Sequence, residues 1–393
     1  LSGKTAKEEM LEKNAFAELI MKFAFCLFKY FPYGGLQRGF LQLARTCVAR
    51  GHQVDVYTGS WKGERPAELN IFQIPGRRLT NHRRYQSFAR RVQRLTGPEN
   101  YDAVVGFNKM PGLDVYFASD VCYGCRVQQR SLVYRLSGRC RTLMALERAV
   151  FDKHSGTRII SISETEKKRY MDTYGTPESR FCSVPPGIAR ERLAAADNPE
   201  ARQGWRREFG VNADQQVVLM VGSDYRRKGV DRAIKAMAAL PEGLREKALL
   251  VVVGRGKPRP YRRLARRLGV SGRVGFAGER ADVDRFLAGA DLLLHPAYHE
   301  NTGTVLIEAM AAGLPVLASD TCGYGVHVAR AGAGELVPSP FCQQTLNAML
   351  ASMLSSENRK RWAANGKHYV AETDVYSRHE KAADAIEAAA GGV

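Results

Sequence analysis

The run HPAYHENTGTVLIEA (295–309) holds two glutamates eight positions apart, Glu300 and Glu308. Apolar residues before it read as a strand and those after it as a helix. That sets Glu300 in the connecting loop and Glu308 about one turn into the helix. Between them Thr302, Gly303, Thr304 and Val305 stand at the helix start. A helix start leaves N–H groups without intrahelical partners and carries a partial positive charge, which suits an anion. One carboxylate could then grip sugar hydroxyls and the other a ribose diol, with a diphosphate on the amides between. A lone acidic pair is ordinarily a solvated surface feature. The strand–loop–helix setting, with the strand-like run AGLPVLAS directly behind it, favours ligand binding.

A second strand-to-helix loop, 222–229, reads GSDYRRKG and brings Arg226, Arg227 and Lys228 to another helix start. Cations are unfavourable beside the positive end of a helix. A diphosphate would explain them, since arginine meets it as a planar fork and lysine as a point charge. A third loop, 32–38 (PYGGLQR), offers Gly34 and Gly35, where a ligand can approach the backbone closely. A tight turn accounts for those two glycines equally well. The loop lacks the GxGxxG pattern, and the second strand ends without an acidic residue to hold a ribose. Both features argue against nicotinamide binding in the first half.

Such loops need a scaffold, and the chain alternates strand-like runs with helical periodicity throughout. Residues 22–31, 53–59, 101–107 and 158–163 read as strands in the first half, with 36–50 a helix between the first two. Residues 216–223, 248–254, 273–278, 291–297 and 314–319 read as strands in the second, with helices over 230–240, 260–269, 281–290 and 304–313. This is β-α-β grammar, which implies parallel sheets covered by helices. The run SVPPGI cannot continue a regular element, so a domain boundary is expected near 185–188. The expectation is an α/β chain of two Rossmann-like domains, 21–186 and 187–393, facing a central cleft. The terminal helices are free to return to the first domain. Residues 1–20 are polar, helix-prone and unlike the rest of the chain, and read as an extension outside the fold rather than a signal peptide. At 393 residues the chain is too long for one core, and 45% apolar with 25% charged residues excludes wholesale disorder and fibrous structure.

The net charge is +19, made up of −1 within 1–20, +14 within 21–186 and +6 within 187–393. Such a field favours anionic partners. Two segments carry much of it. In 77–95, Tyr85, Phe88, Val92 and Leu95 recur at helical spacing among arginines; in 125–151, arginines alternate with apolar residues. Each suits an anionic bilayer surface, or else is an ordinary helix with a charged outer face and its apolar stripe in the core. No apolar run is long enough to span a bilayer. The eight cysteines read as unpaired thiols in a reducing compartment. Cys122 and Cys125 form a lone CxxC, which with Cys140 and His154 matches no standard zinc pattern.

The 300–308 span, followed by EAMAAGLPVLAS, resembles glycosyltransferase family 4, which has the two-Rossmann GT-B fold. The runs 21–40, 49–58, 104–123, 184–188, 221–234 and 292–300 extend the likeness, nearest to the family's lipopolysaccharide-core glucosyltransferases. The resemblance implies a retaining hexosyltransferase that moves glucose from UDP-glucose onto a heptose of the lipopolysaccharide inner core. It implies that Arg227 and Lys228 neutralise the diphosphate, that Glu308 binds the ribose, and that Glu300 with the amides of 302–305 holds the sugar. Gly34 and Gly35 would close on the diphosphate and Asp120 would face the sugar from the first domain. It further implies no cofactor and no required metal, a lipid-anchored phosphorylated acceptor, and a peripheral position on the cytoplasmic face of the inner membrane. Asp282 and Asp284 spell a D-x-D, here expected to cap a helix rather than hold a metal. Gly39 stands where relatives tend to carry an acidic residue, and Asn301-Thr302 where small residues are common. The other readings are a family member with a different donor or acceptor, a nucleotide-sugar epimerase, and a nucleic-acid-binding protein; the last has no supporting motif.

Overall fold

Strands here are short apolar runs buried on both faces, which is the signature of parallel sheets sandwiched between helices. The computed structural model describes residues 20–391 apart from 33, 77–79, 129 and 191–197. The expected extension therefore lies outside the described residues, except for Ile20, as does Tyr33 of the glycine loop. The chain divides into two compact units. The first takes the chain through Ser161, then Glu166–Val184, and resumes at His379; the second takes Ile162–Thr165 and Pro185–Arg378.

The first unit contains β1 (Lys22–Leu27), α1 (Gly35–Ala49), β2 (Gln53–Thr58), β3 (Asn70–Gln73), α2 (Asn81–Leu95), β4 (Ala103–Gly106) and β5 (Val115–Ala118). Three consecutive helices come next, α3 (Tyr123–Val127), α4 (Leu132–Leu136) and α5 (Gly138–Phe151), then β6 (Arg158–Ser161), α6 (Glu164–Tyr174) and β7 (Phe181–Ser183). Its sheet is wholly parallel in the order β3-β2-β1-β4-β5-β6-β7. The order reverses direction between β1 and β4, so the loops leaving those two strands diverge to opposite faces and open a crevice at their carboxyl ends.

The second unit begins with α7 (Pro199–Glu208), β8 (Gln216–Val221), α8 (Val230–Ala238), α9 (Glu242–Lys247), β9 (Ala248–Val253), α10 (Arg259–Arg267) and β10 (Val274–Gly278). It continues through α11 (Val283–Gly289), β11 (Leu292–His295), α12 (Thr304–Ala311), β12 (Val316–Ser319), α13 (Gly325–Ala331), β13 (Gly334–Val337), α14 (Gln343–Ser355) and α15 (Arg359–Glu372). The last helix, α16 (Arg378–Ala390), leaves this unit at its first residue. The sheet order is β10-β9-β8-β11-β12-β13, again parallel, with its reversal between β8 and β11. Strand periodicity builds one core on each face. Val217, Leu219 and Leu293 pack with Leu306 and Ile307 on one side; Val218, Met220, Leu292 and Leu294 pack with Ile234 and Met237 on the other. Each such fully buried side chain is worth roughly 1.5–3 kcal/mol.

Several expectations change. Strands β3, β5, β7 and β13 had not been foreseen. Each has only three or four residues, and β3, β7 and β13 are sheet edges with a single neighbour, where little apolar patterning is needed. The stripe of α2 belongs to the core. Phe88 and Val92 are fully buried, Tyr85 donates to Lys109 O at 2.7 Å, and only Leu95 is left exposed. Asp282 does stand just before α11, but its carboxylate does not cap the helix. Both its oxygens accept from Arg280, at 2.8 and 2.7 Å. Among the described residues all eight cysteines are free, as expected, with Cys182 and Cys342 exposed.

Candidate active site at the ends of β8 and β11

The reversal of strand order brings the loops after β8 and β11 side by side, and the chain makes them touch. Gly229 has φ +75°, and a Cβ there would lie 2.1 Å from Pro296 O. Only glycine tolerates both conditions. Tyr298 N donates to Arg227 O at 2.9 Å, and Arg232 donates to Pro296 O and Ala297 O at 3.2 and 3.1 Å. These bonds tie the cationic loop to the glutamate loop.

Across this seam the sequence-expected residues meet. Glu300 Oε2 accepts from Arg227 Nη1 at 2.6 Å and from Lys228 Nζ at 2.5 Å. Lys228 is buried, and its stem crosses Gly222, where a Cβ would lie 2.6 Å from Lys228 Cε. Glu300 was expected to grip a sugar and the two cations a diphosphate. The structure shows the carboxylate and both cations paired with one another. Burial works against the Glu300 charge, but Lys228 and Arg227 prevail and hold its carboxyl far below the usual carboxylate range.

The glutamate loop is fastened from below. Glu300 bridges to Cys322, Gly323 N donates to Glu300 O at 3.2 Å, and Tyr324 N donates to Thr302 O at 2.8 Å. Tyr324 OH in turn accepts from Arg378, at 2.6 Å. Gly303 precedes α12 with φ +83°, so Thr304 and Val305 open the helix. Glu308 is the fifth residue of α12 and is buried.

His295 is a member that sequence reasoning quoted without giving it a role. It is the last residue of β11 and fully buried, with Nε2 3.4 Å from Lys228 Nζ and 3.9 Å from Glu300 Oε2. Its Nδ1 has no partner among the described residues. Burial, then Lys228, lowers its pKa to about 4, so the ring is neutral at physiological pH and its Nε2 can accept from the ammonium. A polar residue closing an apolar strand next to a charged loop was the available signal.

The remaining expected residues lie in the first unit. Gly34 precedes α1 in an extended conformation, and a Cβ there would lie 1.9 Å from Gln37 Oε1, whose amide folds back to Lys29 O at 3.0 Å. Gly35 has open space where a Cβ would stand. Packing therefore accounts for the first glycine, while no neighbouring atom requires the second. Asp120 follows β5 and is exposed. Desolvation raises its carboxyl above the ordinary range, Lys109 opposes the rise and Glu147 adds to it. Among the described residues no group of three or more His, Cys, Asp or Glu side chains could hold a metal ion. The Cys122 thiol faces Glu147 and Thr173 instead.

Comparison with known proteins agrees with this geometry. Residues 201–369 match the family model "Glycosyl transferases group 1" and residues 33–192 match "Glycosyltransferase Family 4". The chain is 47% identical over 365 residues to the lipopolysaccharide glucosyltransferase WaaG of Escherichia coli K12, covering 92% of this chain and 98% of that protein. A crystal structure of WaaG, a glycosyltransferase involved in lipopolysaccharide biosynthesis, superposes with a TM-score of 0.88 at 46% identity, over 93% of this chain and 99% of that one. A structure of Anabaena Alr3699/HepE in complex with UDP-glucose shares the fold at 19% identity and a TM-score of 0.72, over 94% of this chain and 100% of that one.

Proposed function

This chain belongs to glycosyltransferase family 4 and has its GT-B fold, and from that premise we propose that it moves glucose from UDP-glucose, with retention of configuration, onto a heptose of the lipopolysaccharide inner core. The observation that carries the reading is the meeting of Arg227, Lys228 and Glu300 where β8 and β11 end. A nucleotide sugar leaves as a diphosphate, and stabilising that negative charge is the main catalytic task. Arg227 and Lys228 turn from Glu300 to the diphosphate, which releases the Glu300 carboxylate for the hydroxyls of the sugar. The amides of Thr304 and Val305 share the sugar-binding work, and Glu308 takes the ribose. Gly34, Gly35 and Asp120 are the first unit's contribution. The two cations supply the charge that a divalent ion would otherwise bring, so chelators leave turnover unchanged.

The acceptor is a lipid-anchored, phosphorylated oligosaccharide, and the protein works peripherally at the cytoplasmic face of the inner membrane. No helix among the described residues is long and apolar enough to cross a bilayer. Helix α4 supports a surface attachment: Leu132, Val133 and Leu136 are 72%, 83% and 75% exposed, and Arg130, Arg135, Arg139 and Arg141 are exposed around them. Apolar residues that reach the acyl boundary inside a ring of arginines are the chemistry of an anionic membrane contact.

The direct test is thermal unfolding with a panel of nucleotides and nucleotide sugars, followed by transfer to purified inner-core acceptor. A ligand at a hundred times its Kd raises stability by about 2.7 kcal/mol. UDP and UDP-glucose are expected to stabilise and UDP-glucose alone to support turnover. Stabilisation by a different nucleotide, or transfer from a different sugar, overturns the donor assignment.

A further inference from the structure

Glu147, on α5, is fully buried and lies outside the site described above, yet it is the most heavily hydrogen-bonded carboxylate near Asp120. Its Oε1 accepts from Gly124 N at 2.7 Å and from Tyr174 OH at 2.5 Å, with the Cys122 thiol at 3.8 Å. Its Oε2 accepts from Tyr123 N at 2.9 Å and from the Lys109 ammonium. Lys109 Nζ also donates to Val121 O at 3.0 Å. The neighbouring bonds continue the series: Tyr170 OH donates to Asp120 O at 3.0 Å and Cys122 N donates to Glu166 Oε2 at 2.7 Å. Every residue from Asp120 to Gly124 is thus held through its backbone by a side chain from α5, α6 or the loop after β4.

Burying a carboxylate and an ammonium is costly, and a packed apolar pair would often serve stability as well. What this network does that apolar packing cannot is fix five consecutive backbone positions in one conformation. The Asp120 carboxylate stands at one end of that turn and the helices that lead to Leu132–Leu136 leave from the other. We propose that Glu147 is a positioning residue: with Lys109 and Tyr170 it sets the 120–124 turn so that Asp120 is held ready for the reacting sugar. The inference rests on the role given to Asp120 above. Misplacing a reacting group by about 1 Å costs roughly 10²-fold in rate.

The test uses Glu147→Gln, which keeps shape but aims an NH₂ at donors, and Tyr170→Phe, which removes only the bond to Asp120 O and keeps the ring stacked on Phe151. Tyr174→Phe is the control, since it loses a bond to Glu147 but makes none to the backbone of the turn, against which its ring still packs at Gly124. Glu147→Gln and Tyr170→Phe are expected to lower kcat by ten- to a hundredfold with the UDP-glucose KM within about twofold, while Tyr174→Phe keeps kcat. Amide exchange at Cys122, Tyr123 and Gly124 is expected to quicken in Glu147→Gln, a readout independent of activity. A double-mutant cycle with Asp120→Asn decides the route of action. Glu147→Gln should cost little more once Asp120 is changed. Additive losses in the cycle, unchanged exchange, or an equal kcat loss in Tyr174→Phe overturns the proposal. If Asp120→Asn alone keeps full activity, the role of Asp120 fails and the inference falls with it, a result the single variant separates from additivity. Tyr170→Phe gives the same cycle should Glu147→Gln not fold.

Discussion

Glu300 shares one oxygen between a guanidinium and an ammonium, so either cation can leave it without stranding a buried charge. That arrangement makes Lys228 testable with little risk to the fold. Lys228→Met keeps the stem over Gly222 and leaves Glu300 paired to Arg227; transfer should fall by roughly 10²–10³-fold with circular dichroism unchanged. Wild-type turnover in this variant would remove Lys228 from the mechanism. His295 adds a pH signature. Its folded pKa, about 4, lies below its ordinary 6.5, so between those values the unfolded chain binds a proton that the native ring refuses. Stability must therefore fall as pH drops through that window, by at most about 3 kcal/mol from this residue. Glu300, lowered from its ordinary 4.5, adds its own loss at still lower pH as the unfolded carboxyl takes up its proton. Urea denaturation of His295→Asn across the window should show a shallower acid slope than wild type. An unchanged slope would mean that the ring is protonated in the native state.

At the scale of elements, α10 has a surface built against its own stability. Arg259, Arg262, Arg263, Arg266 and Arg267 follow the i, i+3, i+4, i+7, i+8 spacing of one helical face and are all exposed, with no acidic residue in the first turn. Like charges at i, i+4 repel, and a cation in the first turn opposes the helix dipole. Arg263→Glu would convert two such pairs, with Arg259 and Arg267, from repulsive to attractive. A gain of about 0.2–0.5 kcal/mol per pair is expected, read as a raised Tm that shrinks in high salt. A fall in Tm would show that Arg263 makes a contact worth more than these pairs. Helices α2 and α4 illustrate the opposite fates of basic amphipathic sequence. Both mix arginine with apolar residues, but α2 lies over the sheet and buries Phe88 and Val92, whereas α4 has five residues and buries none.

A molecule of net charge +19 carries an exposed apolar patch at Leu132, Val133 and Leu136. Replacing Leu132, Val133 and Leu136 together by Ser should weaken sedimentation with phosphatidylglycerol vesicles at least about tenfold, since each apolar side chain that enters the bilayer contributes of the order of 1 kcal/mol. Thermal stability should not change, because these side chains already face water. Undiminished sedimentation would exclude this patch as the contact. Local sequence determined a good deal: alternating apolar runs dictated parallel α/β halves, and Pro185-Pro186 fell where the chain passes between units. These are properties of neighbours along the chain, and neighbours suffice to read them. Strand order is not such a property, and it alone brought Glu300 of one loop to Arg227 and Lys228 of another, 73 and 72 residues away. Periodicity likewise tells which face of a helix is apolar but not whether another element covers it. Only the tertiary structure decided that α2 is covered and α4 is not, and that Glu147 and His295 are buried among charges, because burial is set by what packs from elsewhere in the chain.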